Sequence, residues 1–69
     1  MIKVNLLEAR MKEKEVKYDD LAKYLGMSYQ SLHKRVKGKV DFRLNEIVHI
    51  KKFLNLGNEQ IDIIFFQEN

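Results

Sequence analysis

Three glycines punctuate this chain, at positions 26, 38 and 57, and each follows a stretch whose apolar residues recur three or four apart. That spacing gathers apolar side chains on one face of an α-helix. A glycine just past a helix end takes the left-handed conformation without steric penalty. Proline is absent and strand-type alternation is weak throughout. The pattern therefore predicts an all-α fold, a compact bundle of four to five short helices with connections of a few residues.

Size narrows the choice further. At 69 residues the chain makes one domain, 1–69. A chain this short buries only roughly 60% of its unfolded surface. It has no cysteine, which excludes disulfides and thiolate zinc sites. His33 and His49 share no carboxylate at a ligand spacing, so neither a metal nor another cofactor is expected. Stability must come from helix packing. The N-terminal MIKVNLLEARMK mixes charges into its apolar pattern and does not read as a secretory signal. No apolar run approaches the ~20 residues of a membrane span. A soluble, cytoplasmic protein is expected, and its pI near 9.3 suggests an anionic partner.

Helix one is expected over about Lys3–Lys14, with Leu7 and Met11 inward, Val4 and Leu6 flanking, and Glu15 standing where a glycine would be easier. Helix two spans about Tyr18–Leu25, with Asp19 and Asp20 at its positive end, Leu21 and Leu25 as its ridge, and Gly26 as its stop. Helix three follows a short turn. Ser28 is its N-cap, Met27 and Leu32 form a staple, and Leu32 and Val36 point inward before Gly38. Helix four covers about Leu44–Asn55, with Leu44, Ile47, Ile50 and Leu54 on one face and Phe53 beside it. Gly57 breaks the chain, and a fifth helix from Asn58 to about Ile64 carries Ile61 and Ile64 inward. The tail of 61–69 is read either as a lid on the core or as a dimer interface.

The positive charge is concentrated. Between Ser28 and Arg43 lie five Lys/Arg (Lys34, Arg35, Lys37, Lys39 and Arg43) against the single acid Asp41, a balance of +4, while the rest of the chain totals −1. On a 3.6-residue helix Gln30, His33, Lys34 and Lys37 share the face opposite Leu32 and Val36. A solvated face normally mixes signs, whereas no acid occurs from Gln30 to Val40. Ser28, Tyr29, Gln30 and Ser31 open this helix with hydrogen-bonding groups, beside free amides suited to phosphate. A major groove admits one helix, whose early polar side chains read base edges.

The stretch LAKYLGMSYQSLHKRVKG resembles the helix-turn-helix of the Cro and phage-repressor (XRE-type) family. Leu21 and Ala22, Gly26 in the turn, Ser28, Leu32 and Gly38 carry the match. FRLNEIVHIKKFLNLGNEQIDIIFF resembles the last helices of small phage-type members. The resemblance implies a lambda-repressor-like domain with its motif at about 18–37. It implies sequence-specific double-stranded DNA binding and transcription regulation, usually repression, in a bacterial or phage setting and commonly as a homodimer. By the same resemblance Ser28, Tyr29, Gln30, Ser31 and Lys34 read bases, while Lys17, Tyr18, Lys37, Lys39 and Arg43 hold phosphates. Lys17 and Arg43 stand where the family often has a small hydroxyl cap, and Glu15 replaces a frequent glycine. Tyr29 is larger than usual for its position, with a sugar, a thymine methyl or Met27 as its candidate contacts.

His33 lies on the exposed stripe, where it meets either a base or solvent. His49, Lys51 and Lys52 read as surface residues. Asp19 and Asp20 diverge by about 100° as helix neighbours and suit a helix start better than a paired-carboxylate site. Ser28 has no nearby base, and with no metal constellation or phosphate-binding glycine loop an enzyme is not expected. The alternative reading is a protein-interaction module that sets the basic helix against an acidic partner. A membrane-surface role would need the aliphatic residues that the glycine stops and staple already direct inward. No pocket-building motif appears, and the chain's length leaves little room for a separate sensing domain, so no small-molecule effector is expected.

Overall fold

A computed structural model describes residues 2–67. The described residues form five α-helices and no strand: α1 Val4–Glu13, α2 Tyr18–Leu25, α3 Tyr29–Val36, α4 Leu44–Leu54 and α5 Asn58–Ile61. The last of these runs on into a wider π-helical turn, Asp62–Phe66, closed by Gln67 N–H donating to the Asp62 carbonyl at 2.9 Å. Helix α2 packs against both α3 and α4, and the π turn packs against α5 and α1. The backbone amide of Lys3 donates to the Ile64 carbonyl at 2.8 Å, which ties the two ends of the bundle together.

One core runs through all the helices. Leu7, Leu21, Leu32, Ile50 and Leu54 are wholly excluded from solvent, and Met11, Ala22, Val36, Ile47, Leu56, Ile61, Ile64 and Phe65 complete the cluster. Ile61, Ile64 and Phe65 are buried as a lid on the core, one of the two readings of the tail, whereas Phe66 is turned out and 54% exposed. Glu68 and Asn69 lie outside the described residues.

One inward assignment requires correction. Leu44 is 70% exposed. The core face of α4 is centred on Glu46, Ile47, Ile50 and Leu54, all buried, and Leu44 lies roughly 110° round the helix from that centre. Glu46, which turns inward to meet Arg35, lies on the side of that face away from Leu44. Leu6, read as flanking the inward pair, is 37% exposed because its neighbour Leu7 occupies the core position and successive residues diverge by about 100°.

Helices α1 to α4 end in one recurring device, in which the amides of a left-handed residue and its successor bond back to the last turn. The left-handed residues are Glu15 (φ 56°), Gly26 (φ 72°), Gly38 (φ 82°) and Asn55 (φ 54°). At α2, for example, Gly26 N–H donates to the Lys23 carbonyl and Met27 N–H to that of Ala22. Gly57 is not among the stops: its φ is −79°, and it precedes α5 as an extended N-cap. Asn55 terminates α4 in its place, since its short polar side chain tolerates this conformation.

Glu15 is the one strained member of this set. A non-glycine, non-Asn residue in left-handed geometry costs about 1–2 kcal/mol, partly offset by the about 0.4–1 kcal/mol that glycine's extra unfolded freedom would cost. Glu15→Gly is expected to raise stability by about 0.5–1 kcal/mol, and Gly26→Ala to lower it by about 1 kcal/mol, by the same reasoning. No heavy atom lies within 4 Å of a Cβ added at Gly26, so its penalty is conformational and not steric. Thermal melting decides it; a Glu15→Gly protein that melts below the parent contradicts the assignment.

Candidate nucleic-acid interface

Helix α3 starts as its sequence requires. The Ser28 Oγ accepts from the Ser31 amide at 3.0 Å, closing the N-terminus. The hydroxyl proton of Ser28 remains available to donate outward. Ser28, Tyr29, Gln30, Lys34 and Lys37 are exposed, and Ser31 and His33 half-buried, while Leu32 and Val36 seat the helix in the core. The stripe expected on α3 is therefore an accessible ridge beside the turn joining α2 and α3.

Lys39 and Arg43 extend the ridge along the 37–43 loop, and both are exposed. This loop is anchored at two points. Phe42 meets Phe65 edge-on with ring centroids 5.5 Å apart, and the Arg43 amide donates to Glu46 Oε1 at 2.9 Å. At the entry to α2, Lys17 is exposed and its amide donates to Asp20 Oδ2 at 2.9 Å. Lys17 and Arg43 thus stand at helix starts whose amides are satisfied by the acid three residues on, leaving both cationic side chains outside those caps.

Arg35 behaves differently from the other cations. Its Nε donates to Glu46 Oε1 at 2.9 Å and its Nη1 to the Ser31 carbonyl at 3.1 Å. The pair is mostly withdrawn from water, with side-chain exposures of 14% and 12%. Burial pushes the Glu46 carboxyl up, but the Arg43 amide and the Arg35 guanidinium outweigh it and hold the group below its ordinary value of 4.5. Arg35 is therefore a clamp from α3 to α4, and the free positive charge of the segment is smaller than the sequence count implies. The Arg35–Glu46 pairing had no mark in the periodicity, although Glu46 falls at the capping-box position after Arg43.

Tyr18 is also engaged internally. Its hydroxyl donates to Glu8 Oε2 at 2.6 Å. A phenol has a single proton and phosphate only accepts, so the phosphate contact expected of Tyr18 requires breaking this bond. Burial first, and then the bond to Glu8, raise the phenol above its ordinary value of 10. The Tyr18 ring meets Tyr29 edge-on at 6.5 Å, and Tyr29 stacks on His33 at 5.5 Å with 16° between planes. Glu8, Tyr18, His33 and Lys37 share one cleft between α1, α2 and α3. Elsewhere Tyr24 stacks on Phe53 at 4.2 Å and takes the edge of His49, which places His49 on the surface away from the ridge. Among the described residues, no group of His, Cys, Asp and Glu is placed to hold a metal ion. No helix among them is long and apolar enough to cross a membrane.

Two short helices joined by a tight turn, the second buried by its leucine face and presenting a polar, cationic ridge, define a helix-turn-helix domain. The family model of the Cro/C1-type helix-turn-helix DNA-binding domain matches residues 6–63, and the chain belongs to that family. No curated protein sequence matches it closely.

Proposed function

We propose that the protein recognises a specific operator-like duplex and regulates transcription, as a repressor of the Cro/phage-repressor kind in a bacterial or phage setting. The observation that carries this reading is the ridge of α3, with Gln30, Lys34 and Lys37 exposed on a helix whose other face is locked in the core. In this reading α3 enters the major groove. Ser28, Tyr29, Gln30, Ser31, His33 and Lys34 face base edges. Lys17, Lys37, Lys39 and Arg43 meet phosphates, which set register without reading sequence. Tyr18 contributes through its ring, since its proton is held by Glu8.

Two copies on a two-fold site would place their α3 helices about 34 Å apart. Leu44 and Val48, one turn apart on α4 and 70% and 41% exposed, offer apolar surface for such pairing. Sizing the complex on DNA by light scattering tests it; one copy on a selected site counts against pairing.

Selection from random duplexes tests the reading of sequence. Gln pairs bidentately with adenine, so Gln30→Ala is expected to cost about 1–3 kcal/mol on the preferred site and to relax the choice at one base step. An unchanged preference removes Gln30 from the reading set, and a parent chain that ignores mixed duplexes in dilute buffer removes the proposal.

A further inference from the structure

We infer that Glu8 is a positioning residue for base readout: through Tyr18 it sets the ring of Tyr29, and through Tyr29 the imidazole of His33, on the face of α3 that meets DNA. This rests on the DNA-reading function proposed above and adds a residue to it that touches no nucleotide. The starting observation is a carboxylate in the wrong company. Glu8 lies in the same cleft as His33 and Lys37, at the edge of a ridge whose partner is a polyanion. An acid there repels phosphate, so affinity alone gives no reason for it.

Geometry supplies one. The Tyr18 hydroxyl donates to Glu8 across 2.6 Å, the short length of a charge-assisted bond. That bond fixes the Tyr18 ring, which stands at 86° to Tyr29. Tyr29 is 45% exposed at the first position of α3, with little core to hold it. An exposed side chain that must be ordered on binding weakens the complex, and ordering it beforehand removes that cost. Tyr29 in turn lies flat on His33, one turn along the ridge. The chain of contacts runs from α1 through α2 to the start of α3, so it orients two of the residues proposed to face bases.

Three variants separate this role from simple electrostatics, with fold checked by circular dichroism and melting. Glu8→Gln keeps an oxygen that accepts from Tyr18 but loses the charge. It is expected to bind all duplexes more tightly and to keep most of its discrimination between the selected site and random sequence. Glu8→Ala is expected to gain the same general affinity while its discrimination drops about tenfold. Tyr18→Phe keeps the ring, loses the bond, and is expected to lose discrimination to a similar extent without a change in salt dependence. In the free protein, the ring-current shifts of the His33 protons are expected to shrink in Glu8→Ala and Tyr18→Phe. If Glu8→Ala and Glu8→Gln discriminate alike, or the His33 shifts stay in place in Tyr18→Phe, Glu8 does not position the rings. A parent chain that binds all duplexes equally overturns the reading of sequence itself, and this inference with it; a discriminating parent with equally discriminating variants overturns the inference alone.

Discussion

Glu46→Ala is expected to remove about 3 kcal/mol of stability, the lower end of the range for breaking a buried ion pair, because neither partner is fully enclosed. For a domain of this size the whole margin is roughly 3–10 kcal/mol. The melting temperature should accordingly fall by roughly 12–24 °C. Two groups lose their acceptor together: the Arg35 guanidinium, left largely withdrawn from water, and the Arg43 amide at the start of α4. A double-mutant cycle checks that the loss belongs to the pair. On an Arg35→Met background, Glu46→Leu is expected to cost much less than on the parent, since two apolar groups leave no buried charge unpaired. Equal costs on both backgrounds would mean that Arg35 and Glu46 do not act together.

The same group gives stability a signed pH dependence. The Glu46 carboxyl is lowered in the folded state, so its contribution is present above its ordinary value of 4.5 and is lost as pH falls through the lower folded value. Glu46→Gln is therefore expected to flatten the acid limb of the stability curve, while the parent's stability declines below about pH 4.5. An acid limb of the same steepness in both proteins would assign acid unfolding to other carboxylates.

The bundle was legible in the sequence because its signals are local. Leu7 with Met11, Leu32 with Val36, and Ile47, Ile50 and Leu54 lie at helical spacing and are all buried. Ser28 caps α3 through a residue three places away. Leu44 failed because periodicity gives the set of residues that could share a face but not where that face is centred. The face extends away from Leu44 to Glu46, whose partner Arg35 is eleven residues away on another helix. Gly57 failed for a related reason: Asn55 reaches the left-handed geometry first, and the chain needs only one such residue per helix end. The exposure of Gln30, Lys34 and Lys37 followed from the position of Leu32 and Val36 alone. The roles of Arg35, Tyr18 and Glu8 did not, because each depends on a hydrogen bond between separate elements. A count of cations along a segment overstates what is free to meet a phosphate whenever one of them is folded into such a bond.

That distinction gives the second large effect. If Lys17, Lys37, Lys39 and Arg43 meet phosphates as proposed, each bound copy would release about four counterions, and log affinity should fall against log salt with a slope of about −3.6. Between 50 and 200 mM salt the loss is then about a hundredfold for one protomer, and its square for two on one site. Lys37 and Arg35 stand two residues apart and carry the same charge, yet they should separate cleanly. Lys37 is exposed at the end of α3, so Lys37→Ala is expected to lower the slope by about one unit for each protomer bound and leave melting almost unchanged. Arg35 is bonded to Glu46 and to the Ser31 carbonyl, so Arg35→Met is expected to lower the melting temperature and leave the slope where it was. A slope that drops with Arg35→Met, or holds with Lys37→Ala, would put the guanidinium on the DNA and break the division between the clamp and the ridge.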